Sequence, residues 1–178
     1  MEEHNVEFSG WRLARLSSFR IGSAMVEILA TSIWNRVMIS TLGVPATAVG
    51  LLLGMRYFLA PFSVWVGHRS DTIPLWGYYR TNYIWLGRFL TVLCLPFLAL
   101  SLMRLEVDQS DPLGWGLAIF CALLYALGSV LTGSPFLALV RDSAPPKRQG
   151  FSISTTETAF IIFIALAGIG FAQWMETY

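Results

Sequence analysis

Residues 113–140 read LGWGLAIFCALLYALGSVLTGSPFLALV, without one Asp, Glu, Lys or Arg. A membrane crossing needs about 20 apolar residues in a row. This run is long enough to cross with some tilt. It also lacks the strict alternation of a barrel strand, so it reads as a transmembrane helix.

Working outward, four more runs of this kind appear. The five expected spans are Ile21–Leu42, Ala46–Val66, Ile84–Met103, Leu113–Val140 and Phe151–Trp174. The whole composition agrees with them. Of 178 residues, 55% are hydrophobic and 13% charged, about half the charge of a soluble domain. Mean hydropathy is +0.59. The prediction is an all-α membrane protein: a leader over 1–20 and a single five-helix domain over 21–178. No cleaved signal peptide is expected, because no apolar core follows a basic start.

The connections are short: GVPA at 43–46, EVDQSDP at 106–112 and RDSAPPKRQG at 141–150. Such links favour antiparallel neighbours. Arg12, Arg15, Arg20, Arg69, Arg80, Arg141, Lys147 and Arg148 fall on one side, and Glu106, Asp108 and Asp111 on the other. By the excess of basic residues on cytoplasmic loops, the N-terminus is expected inside and the C-terminus on the opposite face. Trp65, Trp76, Tyr78, Tyr79 and Tyr83 belong near one interface, Trp115 and Trp174 near the other.

Small residues predict the packed faces. They are Ala46, Gly50 and Gly54 on the second span. The fourth carries Gly114, Ala118, Ala122 and Ala126, and the fifth Gly168 and Ala172. Cys94 and Cys121 read as small core residues.

Charges inside the spans are costly and seek partners. Ser23, Glu27, Thr31 and Asn35 recur every four residues and predict one polar stripe facing the bundle interior. Counted from the cytoplasmic ends, Glu27 and Arg56 differ in depth by about 6 Å at 1.5 Å per residue. A Glu27–Arg56 ion pair is therefore expected. Arg88 and Glu157 can pair or reach water. The stripe with Arg56 is the candidate contact for a pigment or substrate. The alternative is an ion pair that only fixes helix packing. His4 and His68 are the only histidines, and His68 reads as a solvated loop residue.

Other classes are not supported. The net charge is +1 and no basic run exceeds two residues, so nucleic acid is not an expected partner. GxSxG, HExxH and Walker patterns are missing, as are CxxC and Cys/His clusters. Neither catalytic residues nor a metal site are expected, and the chain is not expected to be an enzyme.

The region between the second and third spans carries a more specific signal. Gly67, His68, Arg69 and Asp71, followed by Gly77 and Arg80, resemble the loop signature of the major facilitator superfamily. Thr72 stands where that signature has an arginine. Arg141, Asp142, Pro146, Arg148 and Gly150 resemble the loop after that superfamily's fourth helix. NRVMI (35–39), LGVPA (42–46), LAPF (59–62), SDT (70–72) and GYYRTNYIWLG (77–87) together resemble the PucC/LhaA family. These are membrane proteins of phototrophs, associated with light-harvesting complex assembly and (bacterio)chlorophyll handling.

The resemblance implies the N-terminal part of a fold with two six-helix halves. Membrane pigment–protein subunits, or a chain supplying the missing helices, are the implied partners besides the bilayer. (Bacterio)chlorophyll is the implied cofactor. An assembly or auxiliary subunit of a light-harvesting or reaction-centre complex is the implied function. Half of a secondary transporter and a purely structural subunit are the alternatives. Asp71 is expected at a helix start, where unsatisfied N–H groups favour a carboxylate.

The topology is open to direct measurement. In intact cells, an amine reagent that cannot cross membranes should leave Lys147 unmodified, and should label it only after permeabilisation.

Overall fold

The computed structural model describes residues 10–177. It is helical throughout, and no strand occurs among the described residues. The chain enters as α1 (Gly10–Glu27). It continues through a wide-turn π segment, π1 (Ile28–Ile33), a short α2 (Trp34–Arg36) and a second wide-turn segment, π2 (Val37–Thr41). Next come α3 (Ala46–Phe58), α4 (Ala60–Thr72), α5 (Arg80–Val107), α6 (Pro112–Asp142) and α7 (Gln149–Thr177). Four stretches are long and apolar enough to cross a membrane: Ala46–Thr72, Arg80–Val107, Pro112–Asp142 and Pro146–Trp174. The interrupted helix before them covers the expected first span. The leader charges Glu2, Glu3 and Glu7, with His4, lie outside the described residues.

Local chemistry sets the breaks. After π2 the chain turns at Gly43, whose φ of +66° is one that glycine adopts without strain. Pro45 then leads into α3. Within the second span, Pro61 lacks the N–H that the helical ladder requires, so α3 and α4 part at Leu59. Asp111 accepts a bond from the Leu113 N–H at 3.0 Å and starts α6.

The described chain divides into two compact units. One comprises the residues up to Ile28 with those from Leu137 onward, and the other Leu29–Phe136. In the first unit α1 packs along α7. Short connections alone would not have paired the first helix with the last.

The second unit is organised by a seam between α5 and α6. Gly87 faces Gly128, Cys94 faces Cys121, and Ser101 faces Gly114. Each contact lies seven residues further along α5 and seven back along α6. This is an antiparallel pair with the heptad spacing of left-handed helix packing. A Cβ on Gly87 would sit 2.6 Å from the Gly128 carbonyl oxygen, and one on Gly128 2.6 Å from that of Gly87. Along the seam the Cys121 thiol donates to the Cys94 carbonyl and the Ser101 hydroxyl to the Gly114 carbonyl. Phe97 and Phe120 meet edge to face, their centroids 5.7 Å apart.

Ala118 and Ala126 of the expected α6 stripe are buried, and both cysteines are core residues as expected. Ala46 and Gly50 are exposed, and nothing comes within 4 Å of a Cβ added to Gly50 or Gly54. The buried side of α3 carries Val49 and Leu52, which join Trp34, Met38, Leu42, Val44, Leu105 and Ala118 in one core. A second cluster joins Val66, Tyr83 and Val130 of α4, α5 and α6.

Many outward side chains are large and apolar, among them Phe58, Phe62, Phe89, Leu100 and Ile161. Contiguous exposed apolar surface on several helices belongs in lipid.

The seam makes a clear prediction. Gly128→Leu should force α5 and α6 apart and lower stability in a detergent unfolding titration by about 1–3 kcal/mol. Gly50→Leu on the uncovered face of α3 should change it far less.

Candidate functional site

Four places gather the polar side chains that an apolar bundle has to accommodate. The first lies between α1 and α7. Arg20 forms an ion pair with Glu157, and its guanidinium carbon stands 4.6 Å from the centre of the Phe160 ring. The side chains are 14% and 35% exposed, so both charges are largely withdrawn from water. Glu27, one to two turns further along α1, adds a second negative charge that acts on Arg20. Ser23 is buried between them and donates to the Phe19 carbonyl at 3.2 Å.

Within its unit the partner of Glu157 is thus Arg20, a residue the sequence assigns to the leader. Nothing in the sequence says that the first and last helices are neighbours, so this pair was not legible there. Beside it, Met25, Phe163, Leu166, Phe171 and Trp174 line an apolar groove of about 580 Å³.

The expected polar stripe runs through both units. Ser23 and Glu27 belong to the first, Thr31 and Asn35 to the second. Thr31 lies in π1, where wide-turn bonding replaces the α-helical step that a spacing of four assumes. Glu27, Thr31 and Asn35 are each half-buried. Arg56 belongs to the second unit, where it donates to the Tyr57 hydroxyl at 3.1 Å and lies over that ring.

The second place is a cavity of about 20 Å³ inside the second unit. Its wall includes Ala30, Trp34, Leu52, Arg56, Cys121 and Tyr125. Trp34 is 3% exposed, and its indole N–H has no acceptor among the described residues. Sequence reasoning passed over Trp34, because a tryptophan in an apolar run looks like core.

The third place corrects the expected loop. Gly67, His68, Arg69 and Asp71 lie in the last turns of α4, not in a loop. Asp71 therefore stands at a helix end, not a helix start. There the unsatisfied carbonyls disfavour a carboxylate. Arg80, in the first turn of α5, compensates with a bond to Asp71 at 2.5 Å. His68 is exposed as expected, and Arg69 lies over the Trp65 ring at 5.2 Å. Gly67 lies against α6, where an added Cβ would be 3.5 Å from that of Ser134.

The true connection is a tight turn in which Leu75 and Tyr78 exchange both backbone bonds. Its two central residues, Trp76 and Gly77, have φ of +48° and +84°. That is the backbone of a two-residue hairpin turn. The side chains of Asn82 and Tyr83 hold it from behind through the carbonyls of Leu75 and Ile73.

The fourth place is the connection between α6 and α7. Arg141 and Asp142 end α6 and pair with each other at 3.2 Å. Pro146 opens a single turn of 3-10 helix that includes Arg148, and Gly150 lies in the first turn of α7. Among the described residues no three His, Cys, Asp or Glu side chains gather as a metal site would require.

The charge pair on α7 can be tested by removing one partner. Glu157→Gln leaves the withdrawn Arg20 charge without its carboxylate, and should cost about 2 kcal/mol of stability, between exposed and fully buried pairs. Glu27→Gln should cost less. Unfolding midpoints of the two variants in one detergent make the comparison.

Comparison with known proteins adds a family. The sequence model of the family described as PUCC protein matches residues 33–178. "Protein PucC" of Rhodobacter capsulatus is 36% identical over 94% of this chain and 38% of its own length. "Protein PucC" of Rhodovulum sulfidophilum is 31% identical over 94% of this chain and 38% of its own length. The "Bacteriochlorophyll synthase 44.5 kDa chain" of Rhodobacter capsulatus is 30% identical over 95% of this chain and 38% of its own length. The chain thus spans about two-fifths of these curated relatives. No solved structure matches it. With four membrane-compatible helices, and with the family match running from the end of π1 to residue 178, this chain is an integral membrane protein of the PucC family.

Proposed function

We propose that this chain acts in the membrane as an assembly or auxiliary subunit of a light-harvesting or reaction-centre complex. The family match over 33–178 is the observation that carries this reading. A relative named for bacteriochlorophyll synthesis, matched over the same helices, supports it. The arrangement of the helices favours a surface-binding role. Outward faces of α4, α5 and α7 are broadly apolar, as suits docking to other membrane helices as well as to lipid.

Pigment contact belongs to the same proposal. The apolar groove on α1 and α7 has a volume in the range of small-molecule sites. Met25 brings α1 to its wall, and the rest of the lining comes from α7. A (bacterio)chlorophyll bound here would supply the light-absorbing macrocycle. The chain's own residues would give it an apolar wall. The basic residues around Arg69, Arg80 and Arg148 support a cytoplasmic N-terminus as part of this reading. A relation to the major facilitator fold and a partner chain supplying further helices are parts of this proposal. No enzymatic step is assigned to it.

The test is purification of the tagged chain from a phototrophic host in mild detergent. Near-infrared absorbance and antenna polypeptides should co-elute with it. Leu166→Trp, which fills the groove, should reduce the pigment without removing the polypeptides. A pigment-free product with no antenna chain would sink the reading.

A further inference from the structure

One face of α4 combines an apolar groove with an unmatched charge. Phe62, Trp65 and Arg69 follow one another at spacings of three and four, so they lie on the same side of the helix. All three are exposed. Pro61, Phe62 and Trp65 line an open groove of about 310 Å³, just past the break that parts α3 from α4. At the other end of this face the Arg69 guanidinium lies over the Trp65 ring, its carbon 5.2 Å from the ring centre. A guanidinium over an aromatic ring is held in place and still has N–H donors to offer a ligand.

The charges around it do not cancel. From residue 60 to residue 83 the charged side chains are Arg69, Asp71 and Arg80. Asp71 and Arg80 neutralise each other. Arg69 meets no carboxylate among the described residues. One positive charge is therefore left over on this part of the surface.

The levels along the helix are those of a lipid. Arg69 stands in the last turn of α4, shortly before the chain reverses at Trp76 and Gly77. Phe62 lies about 10 Å deeper at 1.5 Å per residue. The headgroup layer on each side of a bilayer is about 5–7 Å thick. A phosphate at the level of Arg69 thus puts the start of its acyl chains at the level of the groove.

We infer that this face binds one anionic glycerophospholipid, its phosphate on the Arg69 guanidinium and an acyl chain in the groove at Phe62 and Trp65. The planar fork of an arginine matches two phosphate oxygens at once. The uncompensated charge selects a lipid of net negative charge over a zwitterionic one, whose own cation the arginine repels. The inference goes beyond the assembly reading and does not depend on it.

The test uses the full chain in a nonionic detergent and phosphatidylglycerol with a diazirine on one acyl chain. Adducts mapped by mass spectrometry should concentrate on residues 61–69 and saturate with lipid. Unlabelled phosphatidylglycerol should displace them about tenfold more effectively than phosphatidylcholine with the same chains, as expected for one bond to a charged group. Arg69→Gln should remove that preference. Arg104→Gln, the same change in net charge at another exposed arginine, should keep it.

The unmutated chain decides the matter even where a variant fails to fold. Equal displacement by the two lipids, or adducts spread evenly over the outer faces of α4 and α5, would overturn the proposal. An unchanged preference in folded Arg69→Gln would do the same. Self-association that shields residues 61–69 from the probe would assign the face to a second copy of the chain instead.

Discussion

Two backbones approach closely where Gly87 meets Gly128, and the second unit is arranged around that approach. In lipid there is little hydrophobic drive to bring helices together, because the tails are as apolar as leucine. Association has to come from close packing and hydrogen bonds. A pair of glycines removes the two Cβ atoms that would otherwise keep α5 and α6 apart. The seam then continues through Cys94 with Cys121 and Ser101 with Gly114, small side chains that satisfy their own polar atoms on helix carbonyls. Once α5 and α6 are fixed, Val66 and Gly67 of α4 find a surface to rest on. Trp34, Val49 and Leu52 close over the other end, against Leu105 and Ala118.

The charges follow a second constraint, the cost of withdrawing an ion from water. Each helix that carries a difficult charge meets it in a different way. Asp71 lies at an unfavourable helix end and is compensated by Arg80 from the start of the next helix. Arg20 and Glu157 compensate one another between α1 and α7, with Phe160 beneath the guanidinium. Arg56 spreads its charge over a neighbouring tyrosine. The first two link elements across the chain and so help specify which helices are neighbours. The short connection between α4 and α5 can then be a tight turn, with Trp76 exposed at its tip.

Reading depth along a helix from its cytoplasmic end gives which charges can meet in one direction only. It leaves open which helices stand side by side. That is why level left Glu157 either a pairing with Arg88 or a route to water, while α1 in fact lies along α7 and delivers Arg20. The polar stripe had a similar limit. A spacing of four marks one face only while the helix keeps its ordinary step, and π1 changes that step at Thr31. Composition gave no hint of the wide turns on either side of Trp34.

What the sequence determined by itself is the solvent and the element type. Long apolar runs such as 113–140 leave the backbone no partner but its own, so helices of membrane length follow. The motif pieces between 35 and 87 likewise carried the family. Tertiary structure alone decided the pairing of α1 with α7 and the choice of Gly87 and Gly128 over Gly50 and Gly54 as the close contact. It alone decided the cavity beside Trp34. These depend on which faces meet, and in lipid every apolar face is equally acceptable until a second helix arrives to fit it.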